Sequence, residues 1–225
     1  EGSHLHRIIR WTGKGFSWQA DPKYSEILVA ELGLKGSKGV DTPSSKDTGK
    51  GDRTAGDELP AEEAAEFRRL AGTALYLSLD RPSIQFAMSE ISSGMAKPTR
   101  LHMMRLRRLG RYLVKFPTEV WNFDYQEAPS EVIVYTDSDW GADKETRKSM
   151  SALAERFGCH LIDSSCARQS VVALSSGEAE FYSLTRGGAA GIMSQQIWDG
   201  LGYGRLNLVL ETDSSAAKGI ASRSG

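Results

Sequence analysis

The stretch EVIVYTDSDW, Glu131 to Trp140, decides how this chain reads. Val132, Ile133, Val134 and Tyr135 are β-branched or aromatic, which suits a pleated backbone. The run ends in Thr136-Asp137-Ser138-Asp139, residues that favour a turn. Downstream, the capping box Ser175-Ser176-Gly177-Glu178 opens a helix predicted to run to Leu201. Leu206, Leu208 and Leu210 then alternate with Asn207, Val209 and Glu211 in a last strand ending at Asp213, and a short helix follows from Ser214 or Ser215. Residues 150–162 and 165–173 are two further candidate strands. A strand, a helix and a strand in this order predict an α/β fold in which the first and last strands are parallel neighbours. Their carboxyl ends then share one edge of the sheet, where open α/β sheets bind ligands.

Asp137 ends the first strand, Asp213 ends the last, and Glu180 sits in the first two turns of the intervening helix. Each alone is ordinary turn or helix chemistry. Together they make three carboxylates that cannot all stay ionised in a dry pocket, because like charges raise each other's pKa. Divalent cations would relieve them, and hard oxygen ligands favour Mg²⁺ or Mn²⁺ over zinc. Two such ions roughly 4 Å apart suit in-line attack on a phosphodiester. Glu178, two residues from Glu180, points elsewhere on the helix and is expected to bond back to the N-cap. Glu180 shares its face with Leu184, Gly187 and Gly191, a small-residue stripe that lets a helix approach a sheet closely. Asp139 and Asp143 are read as solvated turn residues, with metal contact as the secondary possibility.

The rest of the 225 residues set the frame: 40% hydrophobic, 25% charged, 28 basic against 29 acidic side chains. No apolar run approaches the roughly 18–20 residues of a membrane span, and the N-terminus does not have the character of a secretory signal. Two cysteines, Cys159 and Cys166, make no disulfide framework. A reducing compartment is the default, and both are expected as core thiols. The net charge of −1 leaves any pull on nucleic acid to local clustering. A start at Glu1 and a polar end read as a piece of a longer chain.

Upstream, Tyr24 to Leu34 has helical spacing. Residues 46–60, rich in Gly, Thr, Asp and Lys, are expected to be a flexible linker. Residues 61–129 are read as mainly helical: one helix follows Pro60, a second starts near Ser83, and a third runs from about Thr99 to Phe116. Seven Lys/Arg and no acid lie between Lys97 and Lys115. On the third helix Leu106, Leu109, Gly110 and Leu113 form one arc, and Arg107, Arg108, Arg111 and Lys115 the other. That is a helix docking by leucine and offering cations suited to phosphates, or else simply to solvent.

Two motifs, TDSDWGADKETRKS (136–149) and ALSSGEAEFYSL (173–184), resemble the RNase H domain of copia-type retrotransposon Pol polyproteins. Tyr135, Asp137, Asp139, Trp140, Asp143, Arg147, Ser149, Ser175, Ser176, Glu178, Ala179, Glu180 and Asp213 fall on the family pattern. LAGTALYLSLDRP (70–82) and GRYLVKFP (110–117) resemble the connection region of the same polyproteins, and residues 18–43 the end of the polymerase thumb. The implied organisation is a thumb-like segment (1–45), the linker (46–60), a helical connection (61–129) and a truncated RNase H-like domain (130–225), a mixed sheet with flanking helices. The implied function is metal-dependent hydrolysis of the RNA strand of an RNA–DNA hybrid, with a two-metal Mg²⁺ or Mn²⁺ site on Asp137, Glu180 and Asp213. A fourth ligand would lie beyond residue 225. Implied partners are the hybrid, and the polymerase and integrase parts of the polyprotein. The implied location is the cytoplasm, inside the element's virus-like particle. Two alternatives stand beside it: a catalytically inactive nucleic-acid-binding or scaffold remnant, and another nuclease or integrase of the RNase H-like superfamily. Gly141-Ala142 reverses the usual order of small residues. Ala152 and Ser164 replace a common glycine and tryptophan, and Gly187, Gly188 and Gly191 replace helix-favouring residues, which reads as a divergent or decaying copy.

Overall fold

Phe16, Trp18, Trp121 and Phe123 line one face of an antiparallel sheet formed by segments about 100 residues apart in the chain. In the computed structural model, which describes residues 1–46, 48–52, 54–143 and 146–223, the chain divides into two units, Glu1–Tyr125 and Gln126–Gly225. The first unit opens with β1 (Gly2–His4), β2 (Arg7–Trp11) and β3 (Gly15–Ala20), and β4 (Val120–Asp124) completes the order β1-β2-β3-β4. None of these strands is expected from the sequence. Register sets Trp18 opposite Trp121 and Phe16 opposite Phe123, whose rings stack 4.9 Å apart. The β1–β2 turn places Leu5 and His6 at φ of 49° and 60°. Left-handed backbone at two successive positions matches the strand twist, but it disfavours side chains of this kind. Asp21 N–H and the Tyr76 hydroxyl donate to the His6 and Leu5 carbonyls and hold the turn in place.

The helices of this unit are α1 (Lys23–Glu31), α2 (Ala61–Ser78), α3 (Pro82–Ser92) and α4 (Arg100–Lys115). Their limits follow local chemistry. Pro60 precedes an acidic first turn with Glu62 and Glu63, Pro82 stands at the start of α3, and Thr99 caps α4 with His102. Leu28, Leu32, Leu34, Phe67, Leu70, Leu77, Ile84, Met88, Ile91, Leu106, Leu109 and Leu113 form one buried core. Gly110 is required there, because a Cβ on it would stand 2.6 Å from Leu34 Cδ1. Arg81, 2% exposed, donates to the Phe116 and Pro117 carbonyls (2.9 and 3.2 Å) and pairs with Glu119 at 3.4 Å. The stretch 46–60, read as a flexible linker, is fastened at its far end to α4. Leu101 N–H donates to the Ala55 carbonyl, Arg100 N–H to that of Asp57, and Leu59 is buried in the core.

The second unit holds β5 (Glu131–Asp139), β6 (Met150–Phe157), β7 (His160–Arg168), α5 (Ser176–Gly200), β8 (Asn207–Glu211) and α6 (Ser215–Ala221). Its sheet runs β7-β6-β5-β8, antiparallel except that β5 and β8 are parallel, and the chain's fold class is mixed α/β. The candidate strands at 150–162 and 165–173 are corrected. The turn falls at Gly158-Cys159, where Gly158 takes φ +61° and Gln126 brackets it with bonds to Phe157 O and Cys159 N. Strong β propensity on both sides hid that turn. Cys159 is accordingly exposed in the turn and Cys166 half-buried on β7, so neither is a core thiol. Val132, Val134, Leu153, Phe157 and Leu206 form the core, with Phe157 stacked on Trp198 at 4.1 Å. The glycines of α5 meet the sheet directly: a Cβ on Gly187 would collide with Thr136 Cγ2 and stand 3.3 Å from Val134 Cγ1. Among the described residues no helix is long and apolar enough to cross a membrane.

Candidate metal centre

Parallel pairing of Tyr135 with Glu211 brings the carboxyl ends of β5 and β8 to one edge of the sheet. Asp137 lies two residues beyond that pair on β5, and Asp213 two beyond it past the end of β8. Glu180 stands in the second turn of α5, which Ser175 caps by accepting from Glu178 N–H. The Glu178 carboxylate reaches back to Leu174 N–H at 2.7 Å, one residue before the N-cap expected from the sequence. Asp137, Glu180 and Asp213 each place a carboxylate oxygen within 4.8 Å of the others. The two aspartates are exposed and Glu180 is 9% exposed, so the group opens to solvent on one side.

Glu180 is polarised in its contacts. Its Oε1 accepts from the Ser138 hydroxyl at 2.8 Å and from Ser138 N–H at 3.2 Å, while its buried Oε2 has no hydrogen-bond partner. Burial pushes its carboxyl above the ordinary value; the Ser138 hydroxyl opposes that shift, and the charges of Asp137 and Asp213 reinforce it. A largely buried carboxylate with one unpartnered oxygen, close to two more carboxylates, is a poor arrangement for the bare protein. It fits a hard divalent cation held by Asp137, Glu180 and Asp213. The Ser183 hydroxyl donates to the Asp137 carbonyl at 2.7 Å and ties α5 to β5 beside the group. Sequence reading does not single out Ser138 or Ser183. The available signal for Ser138 is its position two residues after Thr136, on the sheet face that meets α5.

Asp139 and Asp143 stand apart from the three. Asp139 is exposed at the end of β5, and Asp143 pairs with Arg168 at 2.8 Å while accepting from Thr146 N–H. The neighbouring segment is pinned by Trp140, whose indole N–H donates to the Ala173 carbonyl, and by Ser149, whose Oγ accepts from Gly141 N–H. On α4, in the first unit, Arg107 is exposed. The other three cations of that arc are engaged within their own unit: Arg108 donates to Thr42 Oγ1, Arg111 to the Lys38 carbonyl, and Lys115 pairs with Asp41.

Comparison with known proteins gives the chain its relatives. It is 31% identical over 162 residues to the retrovirus-related Pol polyprotein from transposon RE1 of Arabidopsis thaliana, covering 72% of this chain and 11% of that one. It is 26% identical over 224 residues to the Pol polyprotein from transposon TNT 1-94 of Nicotiana tabacum, covering 97% of this chain and 17% of that one. It is 30% identical to the uncharacterized mitochondrial protein AtMg00810 of Arabidopsis thaliana, over 72% of this chain and 65% of that one. The chain thus spans 11–17% of the length of these Pol polyproteins and 65% of AtMg00810. No family model and no solved structure matches it.

Proposed function

This chain belongs with the retrovirus-related Pol polyproteins of copia-type transposons, and we propose that its second unit is an RNase H-like domain that hydrolyses the RNA strand of RNA–DNA hybrids. The observation that carries this reading is the convergence of the Asp137, Glu180 and Asp213 carboxylates, one of which, Glu180, keeps a buried oxygen without a hydrogen-bond partner. The mixed sheet with α5 across it and the resemblance of residues 136–149 and 173–184 support the same reading. Asp137 and Asp213, exposed at the sheet edge, would hold Mg²⁺ or Mn²⁺ together with Glu180. Bound cations would supply an activated water and neutralise charge on the phosphate under attack. The protein's own part is to fix three carboxylates from three elements, so that their mutual repulsion is built in before substrate arrives. Arg107 on α4 would contact backbone phosphates without reading sequence. The hybrid, the polymerase and integrase parts of the polyprotein, and a cytoplasmic virus-like particle are the partners and place this function calls for.

A hybrid labelled on both strands tests this. With Mg²⁺, the RNA strand is cut and the DNA strand and duplex DNA stay intact. Cleavage of duplex DNA would move the chain to another nuclease activity of the superfamily. Tight hybrid binding without cleavage would leave a binding remnant.

A further inference from the structure

We infer that Ser138 is a positioning residue for Glu180, holding one carboxylate oxygen so that the other is left for a cation. The inference rests on the metal-site reading above. A glutamate on a helix has three rotatable side-chain bonds, and nothing in α5 itself aims its carboxylate. Ser138 supplies two donors to a single oxygen, its hydroxyl at 2.8 Å and its N–H at 3.2 Å, both on Oε1. Oε2 receives none although it is buried. The asymmetry comes from β5: Ser138 lies on the same strand face as Val134 and Thr136, the residues that Gly187 of α5 approaches most closely. Close helix–sheet packing therefore brings the Ser138 hydroxyl under Glu180, and the neighbouring Ser183–Asp137 bond fixes the register between α5 and β5. Such outer contacts to a ligating carboxylate are worth about 10–100-fold in metal affinity.

The test is Mn²⁺ binding measured by calorimetry on the whole chain, with Ser138→Ala, Ser138→Thr, Ser138→Val and Asp137→Asn. Thr and Val have nearly the same shape and both suit a strand, so that pair isolates the hydroxyl even if Ser138→Ala folds poorly. None of the three Ser138 variants changes the charge of the site. Ser138→Ala and Ser138→Val are expected to weaken Mn²⁺ binding about tenfold, and Ser138→Thr to bind within about threefold of wild type. If Ser138→Val binds as tightly as wild type while Asp137→Asn loses binding, the positioning role is overturned and the metal site stands. If wild type does not bind Mn²⁺, or Asp137→Asn binds it equally well, the metal site falls and the inference with it.

Discussion

Glu155 on β6 is 1% exposed, and its Oε1 has no hydrogen-bond partner. Burial raises its carboxyl pKa; Ser194 opposes the shift through a hydrogen bond, and the charge of Asp163 adds to it. An acid whose pKa is higher in the folded protein holds its proton more tightly there than in the unfolded chain. Its contribution is therefore fully present below the unfolded value and is lost as pH rises through the raised one. Glu155→Gln is expected to flatten the decline in stability as pH rises above the ordinary glutamate value, and to stabilise the protein at neutral pH by on the order of 1 kcal/mol. Urea unfolding across that range checks it; a variant with an unchanged slope and lower stability at neutral pH would contradict it. Burial raises the Glu180 carboxyl as well, so it contributes to the slope with the same sign. Arg81 is the opposite case, a buried cation with partners. Removing it takes the donor from the Phe116 and Pro117 carbonyls and the cation from Glu119, which keeps the Ser83 hydroxyl. Arg81→Ala is expected to cost about 3–5 kcal/mol by the same unfolding measurement.

Among the elements, α5 shows how packing selects residue type against local propensity. Glycine in a helix interior costs about 1 kcal/mol relative to alanine, yet α5 carries Gly187, Gly188 and Gly191 in succession. Gly187 and Gly191 have no room for a Cβ against Thr136 and Leu208, whereas one at Gly188 would meet Leu210 Cδ1 at an ordinary 3.5 Å. Thermal melts should therefore separate neighbours: Gly188→Ala raises stability by up to about 1 kcal/mol, and Gly187→Ala lowers it by about 1 kcal/mol through overpacking. The sequence carried α5 and its inward face because a capping box and a run of small residues are local signals. It did not carry β1 to β4, whose partner is remote: Gly15 to Gln19 pair with Val120 to Asp124 across the whole helical core of the first unit. Nor did it carry the use of Arg108, Arg111 and Lys115 by residues 38–42, since a cationic arc reads the same whether its charges are free or engaged. Arg107, exposed, is the cation of that arc whose loss should lower hybrid affinity and reduce the salt slope by about one, with little change in stability.

At the scale of the molecule, Asp137, Glu180 and Asp213 all belong to the second unit, while α4 belongs to the first. The carboxylate site was legible in the sequence because its parts sit close to element ends: Asp137 two residues inside the end of β5, Glu180 in the second turn of α5 and Asp213 two residues past β8. Parallel pairing of β5 with β8 is what turns that order into proximity. What lay beyond reading was the division of Glu180 into one held oxygen and one unpartnered oxygen, which depends on the depth at which α5 meets the sheet. The proposed function requires that the three carboxylates act as one hydrolytic site. Its most direct measurement is the rate of Mg²⁺-dependent RNA-strand cleavage at saturating hybrid for Asp137→Asn, Glu180→Gln and Asp213→Asn. Each variant is expected to fall by more than about 100-fold, beyond what loss of an outer contact gives, while still folding and binding hybrid. Wild-type cleavage by any one of the three would contradict it.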